Sequence, residues 1–178
     1  MLFCAILNVI IIKGAKLMTQ YHNIPPVYDR NSRILILGSF PSVKSREAQF
    51  FYGHPQNRFW KVMSAVLDCD LPVTVQQKKL MLVSHNIAVW DVIGSCEITG
   101  SSDATISSVV PNDIAGLAAE TSVTRIFTNG ATSYNMYKRY CRDNVGIEAV
   151  KLPSTSPANA AFSLERLISE WKSQILSQ

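Results

Sequence analysis

The feature that most constrains the fold is an alternation of short strand-like runs with longer segments of helical spacing. Residues 33–37, 87–92, 124–128 and 146–152 are predicted strands, each followed by turn or helix-forming sequence. Strands that alternate with helices form a parallel sheet covered by helices on both faces. A chain of 178 residues is long enough for one such domain and short for two. The pattern therefore predicts a single α/β domain.

The segments between the strands divide into helices and loops. Helices are indicated by apolar residues at a spacing of three and four and by polar residues that can cap a first turn. They are predicted over 59–67, from the capping box of Thr74 and Gln77 to about His85, after Asn112 or Asp113, over 131–141, and after Ser163. Polar, Gly- and Ser-rich composition predicts long loops over 42–57 and 93–110.

Charge and cysteine content narrow the classes of function. The net charge is +4 and only 17% of residues are charged, which allows a nucleic-acid partner without arguing strongly for one. The four cysteines lie far apart in the chain, so neither a metal site of the CxxC type nor a disulfide framework is indicated. Reduced, buried thiols are therefore expected.

The N-terminal residues 1–24 are predicted as an extension and residues 25–178 as the domain. Residues 2–12 are mostly apolar, but a membrane span needs about 20 apolar residues, and the residues that follow are a poor secretory cleavage site. A weak anchor, an extra element on the domain, and translation from an upstream start with Met18 as the initiator remain open, and the last is favoured. A cytoplasmic protein with no membrane partner is expected.

The informative residues follow the predicted strands. Segments 38–41, 128–130 and 152–157 each come directly after a strand. Ligands of parallel sheets bind outside the carboxyl ends of the strands, so we expect these segments to meet at one crevice. They carry amides, hydroxyls and small residues, and the glycine-rich phosphate motifs and GxSxG are absent. Such a site suits a flat, neutral heterocycle, read at its edge by amides and stacked on an aromatic ring.

Three sequence blocks carry a resemblance to a known family. They read GSFPS at 38–42, FYGHPQNRFW at 51–60 and LPSTSP at 152–157. Together they resemble the uracil-DNA glycosylase superfamily. The middle block is similar to the HPxNRFW segment of mismatch-specific uracil/thymine glycosylases. The other two blocks, together with Trp90-Asp91-Val92, look like the hypoxanthine-DNA glycosylase branch.

The resemblance, which covers about residues 25–171, implies both a fold and an activity. The fold is a three-layer α/β/α arrangement around a central four-stranded parallel sheet. The activity is that of a monofunctional glycosylase, which flips a deaminated base out of double- or single-stranded DNA and hydrolyses its N-glycosidic bond. Hypoxanthine is expected first and uracil second. No metal or cofactor is implied, and a monomer is expected because DNA needs an open face. A lesion-binding module that does not cut, and a hydrolase of free nucleosides, are the alternatives.

The resemblance also implies roles for individual residues. Mismatch-specific members carry a catalytic Asn where this chain has Phe40, whereas in the hypoxanthine branch the matching Asn falls at Asn57. Asn57 is therefore predicted to position the attacking water, with Tyr52 stacking on the base and Asn129 reading its edge. The remaining members of the predicted site are the base-binding Gly38, Ser39 and Phe40 and the DNA-backbone contacts Lys44, Ser154 and Ser156.

Several of these residues also have a purely structural explanation. Asn57 can cap a helix, Asn129 lies in a turn-like Asn-Gly pair, and Ser154 and Ser156 can cap turns. Asp91, at the end of a predicted strand, can act in catalysis or can satisfy backbone amides. Contacts with other parts of the chain are needed to decide between these interpretations.

Overall fold

The computed structural model describes residues 18–98 and 107–177. Within these ranges the strands are β1 (Met18–Tyr21), β2 (Ile34–Gly38), β3 (Ile87–Asp91), β4 (Ile93–Ile98), β5 (Ser107–Pro111), β6 (Arg125–Asn129) and β7 (Ala149–Leu152). The helices are α1 (Val43–Glu47), α2 (Phe59–Leu67), α3 (Val75–Ser84), α4 (Ile114–Glu120), α5 (Ala131–Tyr140), α6 (Arg142–Val145) and α7 (Leu164–Ile175). No described helix has the length and hydropathy needed to cross a membrane.

A parallel sheet with the strand order β3-β2-β6-β7 forms the centre of the domain. Successive side chains of a strand point to opposite faces of the sheet. On β2, Ile36 contributes to an apolar core with α2, α3 and α7, whereas Leu35 and Leu37 contribute to a second core with α4 and α5. A four-stranded parallel sheet with helices on both faces confirms the predicted three-layer α/β/α architecture.

The register of the sheet brings the strand ends together. Gly38 at the end of β2 pairs with Asp91 at the end of β3. On the other side of β2 lies β6, whose last residue, Asn129, pairs with Leu152 at the end of β7. The carboxyl ends of the four strands therefore form one rim, which is the edge where ligands bind in parallel sheets.

A second, antiparallel sheet of order β1-β4-β5 occupies much of the segment predicted as a loop over 93–110. The loop prediction is wrong for β4 and β5. These strands pair with each other, and β4 also pairs with β1, which is far away in the sequence. The side chain of Asn112 fixes the start of this sheet, since its Nδ2 donates to the carbonyls of Asp91 (2.9 Å) and Ile93 (3.2 Å). Residues 99–106 of the predicted loop lie outside the described ranges.

Residues 18–24 pack on the domain. Besides the pairing of β1, the backbone N–H of His22 donates to the carbonyl of Gly94 (2.8 Å), and the side chain of Ile24 is buried in the core. Residues 1–17 lie outside the described part of the chain, and with them the predictions of an anchor or an upstream start. The boundary between extension and domain at residue 25 stays a prediction.

The segment predicted as a loop over 42–57 contains a short helix, α1, so this prediction is wrong for residues 43–47. Ser42 caps the helix by accepting a hydrogen bond from the backbone N–H of Ser45. The hydroxyl of the buried Ser45 accepts in turn from the backbone N–H of Gly53 (3.1 Å). Polar side chains turned inward thus order a segment whose composition is typical of a loop.

Three of the described helices begin where the predicted caps place them. Thr74 and Gln77 form the capping box of α3, and Asp113 and Ser163 accept backbone N–H groups in the first turns of α4 and α7. The last strand begins at Ala149 and is therefore shorter than predicted. The short helix α6 precedes it, and Gly146, with a positive φ of 74°, follows the last residue of that helix. The caps depend only on neighbouring residues, which is why they could be read from the sequence.

Candidate functional site

The block FYGHPQNRFW joins the rim of the sheet to the loop after β7. The Oδ1 atom of Asn57 accepts a hydrogen bond from the backbone N–H of Phe59, the first residue of α2 (3.0 Å), and another from the hydroxyl of Thr155 (2.9 Å). The indole N–H of Trp60 donates to the carbonyl of Phe51 (3.3 Å). Asn57 therefore satisfies the start of a helix and at the same time contacts the loop that follows β7.

Arg58 holds that loop in one conformation. Its guanidinium donates to the main-chain carbonyls of Thr155, Ser156, Asn159 and Phe162. Its backbone N–H also donates to the carbonyl of Thr155 (3.1 Å). A guanidinium carries several N–H donors in a rigid plane, so one side chain can bridge carbonyls that no shorter donor could reach together.

Thr155 connects two carboxamides across the rim. Its backbone N–H donates to Oδ1 of Asn129 (2.9 Å), and its hydroxyl lies 2.9 Å from Nδ2 of Asn129 and 2.9 Å from Oδ1 of Asn57. The side chain of Thr155 is buried with no exposed surface. Asn57 and Asn129 therefore bond to the same hydroxyl group. Sequence reasoning did not single out Thr155, because nothing in the serine-rich loop around it indicates which side chains it meets.

Tyr52 lies close to the same rim in a strained conformation. Its φ is 53°, which is uncommon for a residue other than glycine. Its ring stacks on Phe59 with centroids 3.8 Å apart, so a base would have to use the other face. Tyr52 as a residue is half-buried, and its hydroxyl is enclosed and forms no hydrogen bond of normal geometry with the described residues. Burial raises the pKa of this hydroxyl far above its usual range, the charge of Asp91 adds to the effect, and the nearby Asn129 amide opposes it.

Gly38 is required by the close approach of two side chains at the end of β2. A Cβ atom at this position would lie 2.0 Å from Oδ1 of Asp91 and 3.3 Å from the hydroxyl oxygen of Tyr52. Only a glycine leaves space for both groups against the main chain of the rim. The glycine that the sequence analysis assigned to the base site thus brings the rim, Asp91 and Tyr52 together.

A buried histidine from the predicted extension also reaches this rim. Nε2 of His22 lies 2.8 Å from Oδ2 of Asp91, and both side chains are almost fully buried. Nδ1 of His22 accepts from the backbone N–H of Ile24 (3.3 Å), so the ring donates its Nε2 proton to Asp91. The sequence left two roles open for Asp91, catalysis or the satisfaction of backbone amides. In the structure its carboxylate accepts a hydrogen bond from the His22 side chain. His22 could not be singled out from the sequence, because its partner Asp91 lies 69 positions away in the chain.

The remaining predicted base-site residues lie beside this pair. The ring of Phe40 packs edge-on against His22, with centroids 6.1 Å apart, and the guanidinium of Arg46 lies 5.7 Å from the Phe40 centroid. The carbonyls of Gly38 and Ser39 accept backbone hydrogen bonds from the residues that follow β3 (2.9 and 3.0 Å). These contacts anchor the GSFP turn at the rim.

The predicted DNA-backbone residues lie in two loops. The ammonium group of Lys44 lies 2.7 Å from a carboxylate oxygen of Glu47, and both side chains are exposed. Such a surface pair is worth about 0–1 kcal/mol, so a phosphate can replace the carboxylate at little cost. The hydroxyls of Ser154 and Ser156 accept from backbone N–H groups two residues further on (3.2 and 3.3 Å). They cap turns, and because a hydroxyl that accepts a hydrogen bond can also donate one, their contact with a DNA phosphate stays a prediction.

Comparisons with known proteins decide the family. The family model for the uracil DNA glycosylase superfamily matches residues 25–176. The chain belongs to this superfamily. The resemblance of the three sequence blocks to its members is thereby confirmed. With its parallel sheet and its strand-end segments, the chain has the architecture that the resemblance implied.

Individual members of the superfamily are similar over most of their length. A hypoxanthine DNA glycosylase from Methanosarcina acetivorans is 37% identical over 149 residues, which cover 83% of this chain and 93% of that protein. A hypoxanthine DNA glycosylase from Methanosarcina barkeri is 34% identical over 149 residues, which cover 83% of this chain and 92% of that protein. A solution NMR structure from Methanosarcina acetivorans, described provisionally as a uracil DNA glycosylase, has a TM-score of 0.73 at 35% identity and covers 88% of this chain and 96% of its own.

We expect Tyr52→Phe in this superfamily member to keep the fold and to weaken its sensitivity to alkali. The hydroxyl is enclosed and makes no hydrogen bond of normal geometry within the described ranges, so its removal should leave stability unchanged or raise it by about 1 kcal/mol. The pKa of this hydroxyl is higher in the folded protein than the ordinary tyrosine pKa of about 10, so the folded protein retains a proton that the unfolded chain loses. Stability is therefore lost as the pH rises above about 10, and less is lost in the variant.

Urea unfolding at about pH 7 and about pH 10.5 measures both effects. Tyr137 is a second tyrosine whose pKa burial raises, so some alkaline loss of stability should persist in Tyr52→Phe. The assignment fails if wild type and variant lose the same free energy of unfolding between the two pH values.

Proposed function

We propose that this chain is a DNA glycosylase that removes a deaminated base, with hypoxanthine preferred to uracil. The observation that carries the proposal is the placement of the Asn57 and Asn129 carboxamides on one buried hydroxyl, that of Thr155, at the rim where Tyr52 and Gly38 also lie. The names of the relatives from Methanosarcina acetivorans and Methanosarcina barkeri support hypoxanthine as the base. Duplex DNA is the proposed substrate and a monomer the proposed active form.

Recognition of the base begins with its removal from the helical stack. Flipping costs a few kcal/mol, and least for a damaged or mismatched base, so the lesion is partly selected before it reaches the pocket. In the pocket, the face of the Tyr52 ring that does not stack on Phe59 stacks on the base. Thr155 takes up the edge of the Asn129 amide at which Oδ1 and one Nδ2 proton point the same way. The second N–H of Asn129 lies on the other side of the amide and can donate to O6 of hypoxanthine, where adenine presents a donor instead.

Hydrolysis then breaks the bond between the sugar C1′ and the base nitrogen. The electron pair leaves with the base, and the sugar becomes oxocarbenium-like. A water positioned by Asn57 adds to C1′ and loses a proton to solvent, while the base takes up a proton, which yields the free base and an abasic sugar. A carboxamide is too weak a base to take the proton itself. The rate therefore comes from positioning and from dipoles that are in place before the reaction.

A labelled duplex with a single deoxyinosine tests the proposal. Incubation followed by alkali should break the labelled strand at the lesion, faster than in matched duplexes that contain deoxyuridine, and not at all in undamaged DNA. Binding of the deoxyinosine duplex without breakage would indicate a lesion-binding module. Release of hypoxanthine from free inosine but not from DNA would indicate a nucleoside hydrolase. Breakage at deoxyuridine alone would overturn the choice of base.

A further inference from the structure

Two main-chain N–H groups fix the direction of every hydrogen bond around Thr155. The N–H of Phe59 donates to the side chain of Asn57, so the atom that faces it is the amide oxygen. The N–H of Thr155 identifies Oδ1 of Asn129 in the same way. Nδ2 of Asn129 must then donate to the Thr155 hydroxyl, whose own proton is left for Oδ1 of Asn57. A single arrangement of protons satisfies all four contacts.

This arrangement determines what Asn57 can offer to a substrate. Both lone pairs of its Oδ1 are occupied, one by the N–H of Phe59 and one by the hydroxyl of Thr155. Its Nδ2 makes no hydrogen bond with the described residues and lies at the other end of the amide group. The free capacity of the Asn57 side chain is therefore that of an N–H donor.

Thr155 is itself held from two directions. Its side chain has no exposed surface, so water does not compete for its hydroxyl. Its carbonyl accepts from the backbone N–H of Arg58 (3.1 Å) and from Nε of the same residue (3.3 Å). Every polar group of Thr155 is in use, and its hydroxyl is placed by the loop that Arg58 holds. The Thr155 hydroxyl thus bonds to both carboxamides, and the main-chain N–H groups of Phe59 and Thr155 hold their oxygen atoms.

We propose that Thr155 is a positioning residue that fixes Asn57 as a hydrogen-bond donor toward the reacting nucleotide. The proposal rests on the glycosylase function proposed above and adds the polarity of the Asn57 contact to it. An N–H of Asn57 holds the attacking water by one lone pair of the water oxygen, and the other lone pair attacks C1′. The proton of the water goes to solvent, because Oδ1 has no free lone pair with which to accept it.

Isosteric removal of the hydroxyl tests the positioning role. We expect Thr155→Val to lower the single-turnover rate constant on the deoxyinosine duplex by about 10–100-fold, with little change in the Kd for that duplex. Thr155→Ser keeps the hydroxyl and should stay within about threefold of wild type. Thr124→Val is the matched control, because Thr124 is exposed and lies before β6, at the end of the sheet opposite the rim. Equal rates for Thr155→Val and wild type would overturn the proposal.

Asn57→Asp separates donation from acceptance. An ionised carboxylate keeps the acceptor but loses the N–H donors, so the variant should be nearly inactive at about pH 8. As the pH falls toward about 5, the carboxyl group gains a proton and can donate, and the ratio of the variant rate to the wild-type rate should rise. A variant as active as wild type at about pH 8 would show that Asn57 works as an acceptor, which overturns the donor role.

The positioning can also be measured without turnover. Side-chain amide resonances of ¹⁵N-labelled protein should shift for both Asn57 and Asn129 in Thr155→Val, and for neither in Thr124→Val. Unmoved resonances would overturn the positioning role even if activity were lost. A wild-type protein inactive on deoxyinosine and deoxyuridine, but with the expected shifts, would overturn the proposed function and leave the orientation of the carboxamides by Thr155 supported.

Discussion

Asn57→Ala is expected to slow single-turnover cleavage of a deoxyinosine duplex by about 10²–10³-fold while the protein remains folded. Alanine removes the N–H donors that hold the attacking water, and the mechanism contains no acid–base group that could compensate. The Phe59 N–H and the Thr155 hydroxyl also lose their acceptor, which should cost about 1–2 kcal/mol of stability. Rapid-quench kinetics measures the rate, and urea unfolding measures the stability.

The matched control for this variant is Asn144→Ala. Asn144 is exposed on α6, where its side chain makes no hydrogen bond with the described residues, so its removal should affect neither rate nor stability. Near-wild-type cleavage by Asn57→Ala would contradict the role assigned to Asn57. A similar loss in both variants would mean that the effect is not specific to the rim.

Arg58→Ala should destabilise the protein by about 2–4 kcal/mol, or about 5–12 °C in Tm, and should also abolish most of its activity. The guanidinium is the common donor to main-chain carbonyls of residues 155, 156, 159 and 162. Without it the loop loses its single conformation, and Thr155 no longer places the two carboxamides. Thermal unfolding measures the stability, and amide hydrogen exchange in residues 153–163 reports the loop directly.

Two further variants show whether the fork of donors or only the charge of Arg58 matters. Arg58→Lys keeps the charge but cannot reach all four carbonyls, so it should recover only a minor part of the lost stability. Lys61→Ala removes a positive charge from the exposed side of α2 and should be close to wild type. Full rescue by lysine would contradict the bridging role and leave electrostatics as the explanation.

Local signals in the sequence were enough to predict the central part of the fold. The apolar stripe of α2 and the capping box of Thr74 and Gln77 depend on residues within one or two helical turns, so their meaning does not change with tertiary context. The small antiparallel sheet was missed for the converse reason. Its strand β4 is ordered by β1, and nothing in the Gly- and Ser-containing segment itself indicates that partner.

The residues of the site also divide into those that could be predicted from the sequence and those that could not. Asn57 could be named from the resemblance of its sequence block to a known family, and Asn129 also from its place at the end of a predicted strand, since the carboxyl ends of parallel strands share one edge. Thr155 and His22 could not be named, because each gains its meaning from a contact made in three dimensions. Thr155 meets a residue 98 positions away, and His22 one that is 69 positions away.

The sequence by itself determined that this chain forms a helix-covered parallel sheet and that amides and hydroxyls follow its strands. These properties follow from periodicity, capping and turn chemistry, which act between near neighbours. Only the tertiary structure decided which end of the Asn57 amide is left for a substrate. A carboxamide has a donor end and an acceptor end, and the end left for a substrate depends on which distant groups already occupy the other.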